Sequence, residues 1–409
     1  MMSRIAVPPH LEERLEWHLP GAGAQSACSY AAAIPPRLCQ SVISLSAEVA
    51  EACATAGLEL AVFARASRSS DAAVEAARAL LTRVEILGSL LVDQVPVSPT
   101  ELAKSEANLP ATRSARLANA GVGALVAHLA GAERALGLGA LAAAHTAPAT
   151  TPGVRKAARY RATQSWIGGS DLWPFGADYV PPRPEHIPAL MDDLVEFLAR
   201  TDVDPIAQAA IAHAQFLSIQ PFPDGNGRAA RALLNGVWRR RGLSRGVVVP
   251  VSASIAGDRR RYGSAWREYR VGDAEPMIDL VARHALRAVK EATASSVRIA
   301  AMPEAWRAVA RPRRASAAFR LTTVLAEHPA VNAAEVQRLT GASQASAYEA
   351  ISTLAEAGVL TRLTLSRRDS VWIAGDLLGE TDAVMGRLSA GGRMPASSPR
   401  PRPSRPTAA

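Results

Sequence analysis

The 409-residue sequence is poor in cysteine and in aromatic side chains, and it has no long apolar run. Cys28, Cys39 and Cys53 are an odd number without metal-ligand spacing, which argues against a disulfide framework or a cysteine metal centre and for reduced thiols. No stretch approaches the 18 or so uninterrupted apolar residues that a membrane span needs. The start, "MMSRIAVPPHLEERLEWHLP", lacks an apolar core followed by a cleavage site, so a signal peptide is not expected and a cytoplasmic location is. Aromatics make up only 5%, and Ala and Arg recur throughout, a compositional bias as much as a functional sign. The final stretch, 390–409, is rich in Pro and Arg without acids and reads as a disordered tail.

What is present suits a folded chain of two or three domains: 48% apolar residues and 20% charged. A net charge of +9 admits an acidic partner, nucleic acid or phosphate, or a surface kept soluble by scattered arginines. There is no internal repeat. Residues 1–35, punctuated by Pro and Gly, are expected to wrap the surface. Helical apolar spacing runs through 41–94, breaks at "QVPVSP", and returns across 100–142. "RATQSWIGGSDLWPFGADYVPP", residues 161–182, mixes β-formers with Gly and Pro and predicts a short hairpin over a cleft. Helices follow at 184–201 and 205–220, then from 228 onward to about 300.

Between two of those helices lies "QPFPDGNGRAAR", residues 220–231. Gly225 and Gly227 let main-chain N–H groups approach an anion, and the helix that begins there turns its positive end to the same spot. Arg228 and Arg231, three apart, can clamp phosphate, and Asp224 would suit a phosphate that carries Mg²⁺. The pattern predicts a site for a di- or triphosphate with one metal ion.

The same residues resemble the Fic (Fido) signature HPFxDGNGRxxR at every fixed position except the first. "RATQSWIGGS", "YVPPRPEHIPALMDDLVEFL" and "DRRRYGSAWREYRVGDAEPMIDL" resemble the flap, the lead-in and the end of that domain, over roughly 30–300. The resemblance implies an all-α Fic fold with a short β-hairpin flap. It implies ATP and Mg²⁺ as ligands and AMP transfer to a hydroxyl of a target protein docked at the flap, about Trp166 to Val180. It further implies Asp224 on the metal, Gly225, Asn226, Gly227, Arg228 and Arg231 on the phosphates, Phe222 anchoring the loop, and a chain that can dimerise.

Gln220 stands where the family's catalytic His belongs. An amide does not take a proton near neutral pH, and loss of a general base costs about 10²- to 10⁴-fold in rate. His213, seven positions earlier and roughly 10 Å along the helix, is too far to replace it. Nucleotide binding with impaired or lost transfer is the expectation, a pseudoenzyme in effect. A Gln that orients a hydroxyl without taking its proton stays open as the alternative.

"LLTRVEILGSLLVDQV" resembles the family's inhibitory helix, [S/T]xxxE[G/N], with Ser89 at the hydroxyl position and Asp93 in place of Glu. Aspartate is one methylene shorter, which predicts poor reach to Arg231.

Beyond the basic hinge "ARPRRAS", residues 317–378 read as helix, helix, turn, helix and two strands, a small α/β winged helix-turn-helix. Gln344, Ser346 and Tyr348 are candidates for DNA contact, with Arg367 and Arg368 at the wing tip and Arg311 to Arg314 on phosphate. Eight arginines against five acids over 311–370, and Glu349 on the recognition helix, leave a protein-binding role equally open. The domain reading is a helical region at 1–110 with the inhibitory helix at about 82–95, a core at 111–300, the winged helix at 312–378 and the tail.

Overall fold

The computed structural model describes residues 7–18, 27–69, 71–132, 160–363 and 370–390. The centre is a helix buried on every side. α6 (Pro205–Ile219) starts cleanly because Asp204 accepts from the N–H groups of Ile206 and Ala207 and Pro205 fills the first turn, where no donor is needed. Every residue from Ile206 to Ile219 is buried, as an all-round apolar helix must be.

Other helices close around it. α1 (Ala47–Ala66), α2 (Ala72–Val92), α3 (Pro99–Glu106) and α4 (Arg113–Ala132) precede it, and α5 (Ile187–Ala199) leads in. α7 (Asn226–Arg240) returns antiparallel beside α6, followed by α8 (Val251–Ala256) and α9 (Arg259–Arg270). α10 (Glu275–Ala310), roughly 54 Å long at 1.5 Å per residue, is the spine on which α1, α2, α6 and α8 pack. α2 crosses α8 with almost no gap. A Cβ on Gly88 would lie 2.3 Å from the Ala253 nitrogen, so only glycine permits the crossing.

Two expectations need correction. Residues 1–35 do not merely wrap the surface: β1 (Leu11–His18) and β2 (Ala27–Ile34) form an antiparallel hairpin with Leu11 opposite Ile34. Glu13, Leu15 and Trp17 alternate inward while Glu12, Arg14, Glu16 and His18 face water, the period-2 pattern of a half-buried strand. The segment 166–180, expected to be the hairpin, has a single rung, Ile167 against Tyr179. Left-handed turns at Gly168, Gly169 and Gly176 leave no run of extended backbone. The flap is a pinned loop, with Trp166 edge-on to Trp17 of β1 at 5.2 Å.

The C-terminal third runs α11 (Ala317–Val324), β3 (Ala330–Val331), α12 (Ala333–Thr340), α13 (Gln344–Glu356), β4 (Leu360–Leu363) and β5 (Val371–Ala374), with sheet order β3-β5-β4. Asn332 caps α12, Gly341 turns the chain at φ 65°, and Ser343 caps α13. A last helix that the sequence pattern did not announce, α14 (Gly375–Ala390), folds back across α2, α3, α8 and α10. Arg298 and Glu291 of α10 interlock with Arg387 and Glu380 of α14 in a ring of four ion pairs, 2.6–2.9 Å. Arg367, Arg368 and residues 391–409 lie outside the described residues.

Candidate functional site

α6 ends and α7 begins at the loop 220–225, so a helix C-terminus and a helix N-terminus lie on either side of it. Gln220 closes α6 in the left-handed conformation, φ 48° and ψ 58°. Its N–H donates to the Phe216 carbonyl at 3.0 Å and its side-chain amide to the Leu217 carbonyl at 2.9 Å. The side chain thus folds back to cap its own helix, satisfying a carbonyl that would otherwise lack a partner.

The loop is braced from within. Phe222 is buried, 6.0 Å from both Phe216 and Tyr160, ring centre to ring centre. Asn226 holds the main chain of Phe222 on both sides, accepting from its N–H at 2.9 Å and donating to its carbonyl at 2.7 Å. That spends the Asn226 side chain on loop shape; its contribution toward an anion is its place in the first turn of α7. Gly225 takes φ 76° and starts that helix. Asp224 points outward, its side chain 79% exposed, with one oxygen on the Gly225 N–H at 2.6 Å and the other 3.3 Å from Arg228.

Behind the loop both arginines are buried, Arg231 at 1% exposure and Arg228 at 8%. Arg231 donates to the Ser89 hydroxyl at 2.9 Å, the Ser89 carbonyl at 2.7 Å and the Asp93 carboxylate at 2.8 Å. The second Asp93 oxygen lies 3.8 Å from Arg228. The expected shortfall in reach does not occur. α2 ends at Val92, so Asp93 leaves from the helix terminus beside Gly227, whose missing Cβ would sit 3.1 Å from Arg231 and 3.4 Å from Asp93.

Electrostatics follow from burial. Desolvation works against the Arg231 charge, and Asp93 with Tyr262 outweighs it, so its pKa sits above the ordinary value. The Tyr262 hydroxyl, 2.9 Å from His213 Nε2, is pushed up to about 12 by burial, with Arg231 pulling the other way. Burial holds His213 down at about 4, a neutral packed imidazole. One turn before Ser89, Glu85 is fully buried and accepts from the Ser252 N–H at 2.8 Å and its hydroxyl at 2.5 Å; burial lifts its pKa to about 8. Nη1 of Arg228 is buried with no hydrogen-bond partner among the described residues. An unpaired guanidinium donor at a helix N-terminus is chemistry suited to a phosphate oxygen.

The fold therefore brings together Ser89, Asp93, Arg228, Arg231, Gly225, Gly227 and Asp224, while the Gln220 side chain turns back onto Leu217. Gln344 and Ser346 lie apart from them on α13. Two residues went unnoticed in sequence. Tyr262 borders Arg231, and Arg161, first residue of "RATQSWIGGS", donates to the Gln220 carbonyl at 2.8 Å.

Residues 143–237 match the model of the Fic/DOC family. The protein adenylyltransferase fic-1 of Caenorhabditis elegans is 34% identical over 132 residues, 32% of this chain and 23% of that protein. The protein adenylyltransferase Fic of Nematostella vectensis is 34% identical over 144 residues, 34% of this chain and 30% of that one. A probable protein adenylyltransferase of Aquifex aeolicus is 37% identical over 105 residues, 25% of this chain and 30% of that one. The chain thus spans less than a third of the length of these curated relatives. Among solved structures, a Fic family protein from Desulfovibrio desulfuricans aligns over 81% of this chain and 98% of that one, with 17% identity and a TM-score of 0.49. The loop, its braces and both arginines all fall inside the segment that carries the Fic/DOC match.

Proposed function

We propose that this chain binds ATP at the 220–231 loop and that AMP transfer to a protein hydroxyl is impaired because residue 220 has no basic atom. One observation carries the reading: of two buried guanidinia at the start of α7, Arg231 is held by Asp93 and Ser89, whereas Arg228 meets only the solvent-facing Asp224 at 3.3 Å and a more distant Asp93 oxygen, with its Nη1 buried and unpartnered among the described residues. Such a site keeps a buried guanidinium donor open toward the cleft, and a phosphate oxygen supplies its partner. Arg231 meets the outermost phosphate only when Asp93 yields, so Asp93 and Ser89 act as a latch on the nucleotide.

Mg²⁺ fits as an ion held mainly by phosphate oxygens. Asp224 offers one solvent-facing carboxylate, and no group of three or more His, Cys, Asp or Glu side chains forms a protein-only cage among the described residues. The ion would screen phosphate charge; Gly225, Gly227 and Arg228 orient the chain of phosphates beside it. Transfer requires a target hydroxyl to attack the α-phosphorus as pyrophosphate leaves, and its proton must go somewhere. The amide of Gln220 is committed to the Leu217 carbonyl and takes no proton. In this reading the target's main chain docks at the Trp166–Val180 loop, and a second copy of the chain is the partner in a cytoplasmic assembly.

The test is self-modification with α-labelled ATP and Mg²⁺, native chain against Gln220→His. Label on the His variant alone supports the reading. Equal label on both overturns the loss of activity. ATP binding to neither overturns the site itself.

A second reading rests on α13, which presents Gln344 and Tyr348 to solvent with Tyr348 52% exposed. In that reading the C-terminal third is a winged helix that docks on DNA, and the core is its nucleotide sensor or scaffold. Salt-dependent DNA binding unchanged by Arg231→Ala supports it; its absence leaves the first reading alone.

A further inference from the structure

We propose that Arg161 is a positioning residue that holds both roots of the flap and the main chain of residue 220 as one unit. Arg161 is 3% exposed, and its hydrogen bonds run to main-chain carbonyls rather than to a carboxylate. Nε donates to Gln220 at 2.8 Å and Nη1 to Thr163 at 3.0 Å, while Nη2 donates to Pro182. Its own N–H donates to the Pro221 carbonyl at 2.9 Å. Thr163 precedes the flap and Pro182 follows it, so one guanidinium bridges the flap's entry, its exit and the residue at the base position.

The residue type is demanded by this geometry. Three carbonyls in three directions need a planar fork with several donors, which a point-charge ammonium lacks. Burial lowers the Arg161 pKa to about 10, so it still carries its charge at neutrality and its donors stay strong. A charged donor also complements the carbonyl end of α6, where the helix dipole is negative.

A second tie sits beside the first. The Tyr179 hydroxyl donates to the Ser218 carbonyl at 2.6 Å, and Trp266 Nε1 donates to the Ser218 hydroxyl at 3.0 Å. These bolt the flap's exit to the last turn of α6. Among the described residues its entry is held by the Trp166–Trp17 ring contact, by Arg161 and by the Gln164 amide, which reaches the Pro181 carbonyl at 2.8 Å. Arg161 thereby sets the distance between the docked main chain of a target and the group at position 220. That chemical consequence rests on the proposed function; the mechanical one does not.

Hydrogen exchange on the full chain tests the mechanical part, comparing native protein with Arg161→Met and Arg161→Lys. The Ile167 N–H bonds the Tyr179 carbonyl and the Asp178 N–H bonds the Ile167 carbonyl, both at 2.8 Å, so these two amides report flap closure. We expect exchange there at least tenfold faster in Arg161→Met, intermediate in Arg161→Lys, and unchanged along α10. Native exchange rates at both amides in folded Arg161→Met overturn the proposal. If the Met variant does not fold, the Lys variant gives the same comparison. In a Gln220→His background, kcat for self-labelling should fall at least tenfold with KM for ATP moving less than twofold. A raised KM at constant kcat would place Arg161 on the nucleotide and overturn its link to the flap. If Gln220→His labels nothing, the transfer reading falls while the exchange data still decide Arg161.

Discussion

Arg231 and Asp93, 138 residues apart in sequence, meet at 2.8 Å with the arginine 1% exposed and the aspartate side chain 33% exposed. The asymmetry gives the pair a direction. Asp93 sits at the wet end of α2 and can leave; Arg231 cannot, because Ser89 holds it at two further points. A partner for Arg231 must therefore come from the cleft.

Asp93→Ala should expose this. Removing one member of a buried pair costs about 3–5 kcal/mol, and the exposure of Asp93 reduces that to about 1–3 kcal/mol of unfolding free energy. MgATP should offset much of the loss by pairing with Arg231. The expected outcome is a lower melting temperature without nucleotide, a larger upward shift with it, and about tenfold tighter ATP binding by titration calorimetry.

In the proposed function Gln220→His and Asp93→Ala act on different steps, proton removal and nucleotide entry. At subsaturating ATP their effects on self-labelling should multiply, with about 10²-fold or more from the histidine. A double variant no better than Gln220→His alone would show that Asp93 does not limit ATP access.

Asn226→Ala removes both braces on Phe222 while keeping α7 intact. Two buried main-chain groups lose partners, which costs about 1–3 kcal/mol each before relaxation. Denaturant unfolding should show a loss in that range. ATP affinity should fall at least tenfold although the side chain itself touches no phosphate in the proposed pose.

The pH dependence of stability has two limbs of opposite sign. Burial keeps His10, His128, His213 and His284 near 4, so between about 4 and the unfolded value of about 6.5 the unfolded chain gains protons that the folded chain refuses. Stability is lost as pH falls through that window. Glu85, lifted to about 8, does the reverse: from its unfolded value of about 4.3 upward the folded chain keeps a proton the unfolded one has released, and stability falls as pH rises toward 8. Urea unfolding should therefore be hardest at about pH 7. Glu85→Gln should flatten the alkaline limb and leave the acid limb in place.

The helices around the site were legible because apolar spacing and caps are local. Asp204–Pro205 announces α6, and Gly225 with Gly227 announces the loop. β1 and β2 were not legible. "LEERLEWH" is charged and "ACSYAAAI" is half alanine, so propensity points away from strands, and Trp17 against Trp166 supplies what propensity does not. α14 was hidden by its glycines and is held by tertiary contacts, the ring through Glu291 and Glu380 above all. The Asp93 contact failed in sequence because side-chain length was weighed without the helix end that carries it forward. Arg161 gave no local sign, since its partners are carbonyls, which every residue has.

The left-handed backbone at Gln220 has one more consequence. Positive φ strains most side chains, β-branched ones above all, and is tolerated best by Gly, Asn, Asp and His. Position 220 is thus a sieve: Val, Ile or Thr would have to rebuild the loop, whereas a histidine would settle into a conformation already shaped for it. A single exchange at this position would therefore place an imidazole at the end of α6 on a main chain whose φ of 48° accommodates it.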